Sequence, residues 1–100
     1  MFMRITWGQL QPGLWDDFVK RYEEDAADPS TAGLKARWLV RDSHNIDNMF
    51  AVTLWEDKES IERWERSSAY KEFLEVVEPF MMGSYSVSVC EVMYANPAKP

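Results

Sequence analysis

Cysteine and histidine are almost absent from this chain of 100 residues, which contains one of each, Cys90 and His44. One cysteine cannot form an internal disulfide, and this fits a reducing compartment. His44 lies in a polar turn segment, far in sequence from any second cluster of metal ligands. We therefore expect no metal site and no set of Cys, His and Asp side chains for nucleophilic catalysis.

Basic residues and long apolar runs are also scarce. Lys and Arg number 11 against 17 Asp and Glu, a net charge of −6, whereas a nucleic-acid-binding surface has to be basic. No apolar run approaches the roughly 20 residues that span a bilayer, and the N-terminus lacks the pattern of a secretory signal. The expectation is a cytoplasmic protein that binds neither nucleic acid nor a membrane.

Aromatic residues, in contrast, are abundant: five Trp, five Phe and four Tyr. A domain of this size encloses little interior. We therefore expect several of these rings to line a ligand pocket or to be covered by a second subunit. Packing of all of them in the core of a monomer is the alternative interpretation.

Hydrophobic periodicity predicts six elements in the order strand, helix, strand, strand, helix, strand. The predicted strands cover residues 2–10, 34–41, 49–55 and 84–93. The first helix runs from Leu14 to Asp28-Pro29, and the second follows Asp57, breaks near Ser67-Ser68 and ends before Met82-Gly83. This order predicts an α+β, ferredoxin-like βαββαβ fold, a four-stranded antiparallel sheet with two helices on one face. Residues 1–95 would form one domain and residues 96–100 a flexible tail.

The alternation within the strands also predicts how the sheet is oriented. We expect Met3, Trp7, Trp38 and Val87 to face the helices. The opposite face would then mix small polar, basic and apolar side chains, namely Arg4, Thr6, Arg37, Leu39, Arg41, Ala51, Thr53, Trp55, Ser86, Ser88, Val92 and Tyr94. A wide exposed face that carries Trp and Leu is unusual for a monomer, so we predict a homodimer formed through it.

Residues 54–70, LWEDKESIERWERSSAY, resemble the third strand and second helix of the antibiotic biosynthesis monooxygenase family. With the element order, the resemblance covers residues 2–94. It implies a dimeric α+β barrel in which each subunit keeps a pocket between sheet and helices. Several members of that family oxidise polycyclic phenols with O2 and without metal or flavin, so no cofactor is expected. Related members cleave haem or degrade small signalling molecules.

Individual positions depart from the family pattern. The strand-ending Trp of the quinone-forming members corresponds to Trp55, but their third-strand Asn corresponds to Ala51. In the haem-degrading branch the functional Trp corresponds to Trp64 and the His to Leu74. The first-strand Asn of that branch falls on Thr6 or Trp7. Without an axial His, haem would lack its usual protein ligand, so haem degradation is not expected.

The resemblance and the aromatic pattern together name five candidate site residues. Trp64 and Trp7 are expected as pocket walls that stack on an aromatic ligand, with Trp55 as a further substrate-binding ring. Tyr70 would donate a hydrogen bond, and Arg37 would stabilise a phenolate or enolate. The alternatives are core packing for the tryptophans, a rim position for Tyr70, and an ion pair across the dimer or solvent exposure for Arg37.

The resulting function prediction is a cofactor-independent monooxygenase that oxidises a small phenolic or polycyclic aromatic compound with O2. Two alternatives on the same scaffold remain open. One is a binding protein that holds a small apolar metabolite without turnover, which the missing general base favours. The other is a different enzyme such as an isomerase, because a fold alone does not determine the chemistry.

Overall fold

A computed structural model describes residues 1–26 and 31–97 of the chain. The strands are β1 (Phe2–Gln9), β2 (Leu34–Arg41), β3 (Asn48–Trp55) and β4 (Ser86–Glu91). The helices are α1 (Trp15–Ala26), α2 (Lys58–Glu65) and α3 (Ser68–Val77), and a 3-10 turn follows at Glu78–Phe80. The predicted α+β class and ferredoxin-like order are confirmed. The predicted helix end at Asp28-Pro29 and the last three residues of the predicted tail lie outside the described residues.

Side-chain caps set the boundaries of the helices after β3. Asp57 caps α2, since its carboxylate accepts a hydrogen bond from the Ser60 amide at 2.8 Å. Ser67 caps α3 by accepting from the Tyr70 amide at 3.2 Å, while its hydroxyl donates to the Trp64 carbonyl at 2.6 Å. The predicted break near Ser67-Ser68 is confirmed, and it divides the second predicted helix into α2 and α3.

The four strands form one antiparallel sheet in the order β2-β3-β1-β4. In this register Arg4 of β1 and Arg37 of β2 both pair with Thr53 of the central strand β3. The next row toward the other end of the sheet contains Thr6, Ala51 and Leu39. Paired residues share a face, so each row presents its three side chains on the same side of the sheet.

The predicted orientation of the sheet is wrong for most of the residues named. The row of Arg4, Thr53 and Arg37 faces the helices, whereas Trp7 and Trp38 lie on the open face. Met3 belongs to that open face as well, and Trp55 to the helix side; Val87 on the helix side and Ser86 and Ser88 on the open side are as predicted. Alternation defines two faces of a strand but does not say which one a helix covers.

The core lies between the helices and one end of the sheet. Its buried members are Leu10, Phe18, Tyr22, Met49 and Val77. Phe18 packs edge-to-face on Trp15 and Phe80, with ring centroids 6.1 and 5.5 Å apart. Four of these five residues, Phe18, Tyr22, Met49 and Val77, also line the pocket described below, so the core continues directly into the pocket wall. None of the helices in the described part of the chain is both long and apolar enough to cross a membrane.

Candidate functional site

A pocket lies between the helix side of the sheet and helices α1, α2 and α3. It holds about 570 Å³ of free space, a figure that includes the solvent at its open mouth and therefore sets an upper limit for a ligand. Aromatic and aliphatic side chains dominate its walls, with two arginines and three tyrosines among them: Arg4, Thr6, Phe18, Tyr22, Arg37, Met49, Ala51, Thr53, Trp64, Tyr70, Phe73, Leu74, Val77, Met81 and Tyr85. Such a composition is typical of sites for small, mainly apolar ligands.

Arg4 is the polar centre of one wall, and only 6% of its surface is exposed. Each of its three guanidinium nitrogens has an acceptor within the chain. Nε donates to the Glu65 carboxylate at 2.8 Å, Nη2 to the Tyr70 hydroxyl oxygen at 2.7 Å and Nη1 to Thr6 Oγ1 at 3.2 Å. A buried cation is stable in this form because it is both paired and hydrogen-bonded.

Tyr70 is thereby given a defined chemical role. Arg4 has no acceptor atoms, so the Tyr70 oxygen accepts the hydrogen bond between them and keeps its own hydrogen to donate. Tyr70 itself is one of the residues that line the pocket. Tyr70 is therefore arranged as a hydrogen-bond donor toward a bound molecule, with the positive charge of Arg4 directly behind it.

Trp64 is at the centre of the aromatic contacts around the pocket. Its ring centroid lies 4.4 Å from that of Tyr70, 5.6 Å from that of Trp55 and 6.4 Å from that of Phe73. The guanidinium carbons of Arg4 and Arg37 lie 5.4 and 5.8 Å from the same centroid. The Trp64 ring thus forms a wall that has two cations near it, Arg4 from β1 and Arg37 from β2.

Arg37 is half-buried and approaches the pocket from β2. Its guanidinium carbon lies 6.0 Å from the ring centroid of Tyr22, in addition to its contact with Trp64. Among the described residues it has neither a hydrogen bond nor an ion pair. This separates Arg37 from Arg4, whose charge is already matched by Glu65.

Tyr85 is a third tyrosine of the lining, and its hydroxyl lies 3.5 Å from the Glu78 carboxylate. Burial raises the pKa of Tyr85 above its ordinary value, and the neighbouring Tyr70 and Glu78 act in the same direction. The Tyr85 hydroxyl therefore stays protonated at neutral pH. The part of the lining that the structure describes contains no His, Asp or Glu, and hence no obvious general base.

The structure brings three of the five predicted site residues to the pocket: Arg37, Trp64 and Tyr70. Trp55 is 0% exposed and lies behind Trp64, donating from Nε1 to Thr53 Oγ1 at 2.7 Å, so it supports the wall without forming it. Trp7 is 39% exposed on the open face of the sheet, and the expectation that it lines the pocket is wrong.

Sequence reasoning missed Arg4 and Tyr85 as pocket residues. Arg4 alternates with the large apolar residues Met3 and Ile5, and that pattern usually indicates a solvent-facing Arg. A usable signal was Tyr70 in the first turn of α3. A tyrosine hydroxyl that is turned toward the sheet needs a hydrogen-bond partner, and Arg4 is that partner. Tyr85 precedes β4, where loop geometry decides the direction of the side chain.

The positions that depart from the family pattern also lie in this pocket. Ala51 and Leu74 are both in the lining, so the places of an Asn and a His are taken by a methyl group and an isobutyl group. The single histidine, His44, is exposed in the β2–β3 turn and contacts Ser43 Oγ through Nδ1 at 3.3 Å. Within the described residues no group of three or more His, Cys, Asp or Glu can hold a metal ion. The pocket therefore does not fit a haem bound through an axial histidine.

Known structures share this architecture at low sequence identity. The chain is similar to SnoaB, a cofactor-independent oxygenase from Streptomyces nogalater, with a TM-score of 0.83 and 11% identity over 96% of each chain. It is similar to the haem degrader MhuD from Mycobacterium tuberculosis, with two haems in its active site, with a TM-score of 0.78 and 23% identity over 95% of this chain and 98% of that one. A conserved protein from Methanosarcina mazei aligns with a TM-score of 0.76 and 14% identity over 89% and 90% of the two chains. At such identities the likeness shows the fold.

The sequence itself carries the more specific match. No curated protein matches it significantly. The sequence model of the antibiotic biosynthesis monooxygenase family, however, matches residues 1–76. That range includes β1, β2 and β3 and the pocket residues Arg4, Arg37, Trp64 and Tyr70, so the family match and the pocket coincide. The chain therefore belongs to the antibiotic biosynthesis monooxygenase family.

Proposed function

We propose that this protein is a cofactor-independent monooxygenase that oxidises a small phenolic, aromatic compound with O2 and works as a homodimer in the cytoplasm. One observation carries the proposal: Tyr70 lines an aromatic pocket, and its hydroxyl accepts a hydrogen bond from the buried Arg4 cation at 2.7 Å. A phenol oxygen placed against Tyr70 would lose its proton readily, because a neighbouring cation favours the anion. Family membership and the cofactor-independent oxygenase SnoaB among the similar structures support the same chemistry.

The reaction needs only the substrate and O2. The bound phenol loses its proton, and the electron-rich anion reduces O2 by forming a C–O bond at a ring carbon that carries hydrogen. The resulting hydroperoxide loses water, which leaves a second carbonyl on the ring. One oxygen atom of O2 thus enters the quinone and the other leaves as water, with the substrate as the electron donor.

The side chains of the pocket bind the aromatic ring of the substrate and stabilise the negative charge that develops on it. The walls formed by Trp64, Phe73 and Leu74 exclude water from the ring of the substrate, which strengthens every electrostatic interaction inside the pocket. Tyr70 donates a hydrogen bond to the developing anion, and Arg4 makes that hydroxyl a stronger donor. Because the described lining has no carboxylate or imidazole, the proton leaves to water at the open mouth.

The missing base also favours a second candidate function. A protein with this pocket and no turnover would bind an aromatic metabolite for storage or sensing, using the same walls and the same hydroxyl. The substitution of Ala51 and Leu74 at positions where family enzymes have Asn and His is the observation that favours binding alone. Oxygen consumption separates the two functions.

The proposed dimer forms through the open face of the sheet, as the sequence predicted, but most of the residues on that face differ from those expected there. Trp38 is 46% exposed there and pairs with the half-buried Val52, while Trp7 and Val40 both pair with Phe50 in the adjacent row of the same face. Contiguous apolar surface of this kind is typical of protein interfaces. We propose that a second copy of the chain covers this face. The cytoplasmic assignment rests on the single cysteine, which is compatible with a reducing compartment.

The test is an oxygen-electrode assay of the purified protein with a panel of hydroxylated polycyclic aromatics. We expect saturable oxygen uptake, with one O2 consumed for each quinone that absorbance detects. Tyr70→Phe should lower kcat by roughly a hundredfold, the usual loss when one donor to a developing oxyanion is removed. Tyr94→Phe, which removes a hydroxyl that is far outside the pocket and well exposed, should leave the rate unchanged.

Three outcomes are informative. Uptake that disappears in Tyr70→Phe and persists in Tyr94→Phe would support the oxygenase. Saturable quenching of tryptophan fluorescence without oxygen uptake would favour the binding protein. Equal uptake by both variants would refute the role of Tyr70 and place the reaction elsewhere.

A further inference from the structure

Two arginines on the same face of the sheet differ in how many of their hydrogen-bond donors already have acceptors within the described chain. Arg4 and Arg37 pair with the same residue, Thr53, so their backbones are two strand spacings apart, roughly 10 Å. All three nitrogens of Arg4 bond to acceptors of the chain. Arg37 has none among the described residues, although it lines the same pocket.

The aromatic rings beside Arg37 do not replace an anion. The distances of 6.0 Å to the centroid of Tyr22 and 5.8 Å to that of Trp64 are at the outer limit of a cation–π interaction. A half-buried guanidinium against apolar walls has lost part of its hydration and has five donors available. The arrangement is therefore suited to an acceptor that arrives with the ligand.

The charges around the pocket support this assignment. Its described lining contains two arginines and no carboxylate, and Glu65 at the edge is used by Arg4. The chain as a whole has a net charge of −6. Because Arg37 has no anionic partner among the described residues, the pocket favours an anion, whereas the outer surface of this acidic protein does not.

We infer that the natural ligand carries a carboxylate in addition to its aromatic ring, and that Arg37 binds this carboxylate. The inference rests on the proposed function in taking the ligand to be aromatic. A guanidinium and a carboxylate fit each other through two parallel hydrogen bonds, which a single phenolate oxygen cannot form. The spacing of the two arginines assigns one polar group of the ligand to each: the phenol to the Tyr70–Arg4 pair and the acid to Arg37.

The test compares two ligands of the same size by titration calorimetry under anaerobic conditions. Naphthoate carries a carboxylate that is ionised throughout the neutral range, and naphthalene methanol is its uncharged counterpart. Wild-type protein should bind naphthoate about tenfold or more tightly than the alcohol, as expected for a charge-assisted hydrogen bond. Arg37→Met should abolish this preference, and Arg37→Lys should restore part of it, because it returns the charge without the second donor.

Arg41→Met is the matched control. Arg41 lies on the same strand, but its guanidinium contacts Trp15 at 5.7 Å, away from the pocket lining. We expect Arg41→Met to retain the wild-type preference for naphthoate, and circular dichroism will show that each variant is folded. Equal affinity for the two ligands in wild-type protein, no binding of either, or an unchanged preference in folded Arg37→Met would overturn the inference.

This result and the oxygenase test can fail separately. If the protein selects naphthoate through Arg37 but consumes no oxygen with any phenol, the anion site stands and the proposed reaction falls. If it consumes oxygen with neutral phenols and shows no preference for the acid, the reaction stands and the anion site falls.

Discussion

Arg4 and Glu65 form an ion pair whose two members differ in exposure. The side chain of Arg4 is 7% exposed and that of Glu65 is 33% exposed, so the acid faces the rim and the cation faces the pocket. Glu65 has two effects: it orients the guanidinium toward Tyr70, and it cancels one of the two positive charges in the pocket. These effects can be separated by a substitution that keeps the acceptor and removes the charge.

Glu65→Gln should tighten the binding of naphthoate by about threefold. The amide oxygen still accepts a hydrogen bond from Arg4. Loss of the negative charge makes the electrostatic potential in the pocket more positive, and solvent at the rim partly screens this change. Glu62→Gln is the control, since Glu62 is on the same helix and, among the described residues, pairs with exposed Lys58 at 4.0 Å. Calorimetric titration of both variants measures the effect. Weaker or unchanged naphthoate binding in Glu65→Gln would contradict the charge argument.

At the scale of elements, the short helices α2 and α3 position the site, and their caps hold them in place. Gly33, with a φ of +84°, packs so tightly on Ser60 that an added Cβ would lie 2.2 Å from Ser60 Oγ. Ser60 in turn donates to Asp57 through its hydroxyl at 2.6 Å and through its amide at 2.8 Å. The start of α2 is therefore fixed against the start of β2, and Trp64 lies about one turn beyond Ser60.

The cap at Asp57 makes part of the stability depend on pH. The hydrogen bonds from the Ser60 hydroxyl and amide hold the pKa of Asp57 below its usual value. A carboxyl whose pKa is lowered by folding stabilises the protein above the pKa of its unfolded state, and this contribution is lost as the pH falls through the folded value. Wild-type protein should therefore be more stable than Asp57→Asn at neutral pH, and the difference should shrink below about pH 4 and vanish once the pH is below the lowered pKa of Asp57.

Urea unfolding at several pH values, followed by circular dichroism, measures that difference. Glu56→Gln is the control, because Glu56 is exposed, precedes the cap and makes no side-chain bond among the described residues. Its unfolding midpoint should follow that of the wild type at every pH. A difference between Asp57→Asn and wild type that stays constant into acid would rule out the charged cap.

At the scale of the whole molecule, the helices cover one face of the sheet, and no described helix covers the other. Helices and pocket occupy the side of Arg4, Thr53 and Arg37. The opposite side carries Trp38 and Trp7 in partly exposed positions. Burial of two such rings in an interface would contribute more to association than any other pair on this face, because aromatic residues dominate interface energetics.

Trp38→Lys should weaken the proposed dimer by at least about tenfold in Kd, since it replaces a large apolar ring with a charge at the interface. Light scattering coupled to size exclusion over a range of concentrations measures the change. Ile46→Lys introduces the same charge at another exposed apolar residue, in the β2–β3 turn, and should leave association unchanged. A wild-type protein that is monomeric at micromolar concentration, or equal behaviour of the two variants, would refute a dimer through this face.

The sequence by itself determined the order of elements, the break at Ser67 and the pocket positions of Trp64 and Tyr70. These features depend on local information: side-chain caps, helical periodicity and a short segment that resembles one family. Arg37 was identified by its charge on a predicted strand. Local chemistry of this kind acts over a few residues and does not need the rest of the chain.

Only the tertiary structure decided which face of the sheet meets the helices. The face with the larger apolar side chains, Trp7 and Trp38, was expected beneath the helices, and it lies outside instead. A period of two gives a strand two equivalent faces, and the choice between them depends on what packs on each from distant parts of the chain. The helices here cover a face of charged and small residues because Glu65 and Tyr70 satisfy Arg4 from 61 and 66 positions away. That pairing over a long sequence separation made Arg4 a pocket residue, and no pattern within β1 encodes it.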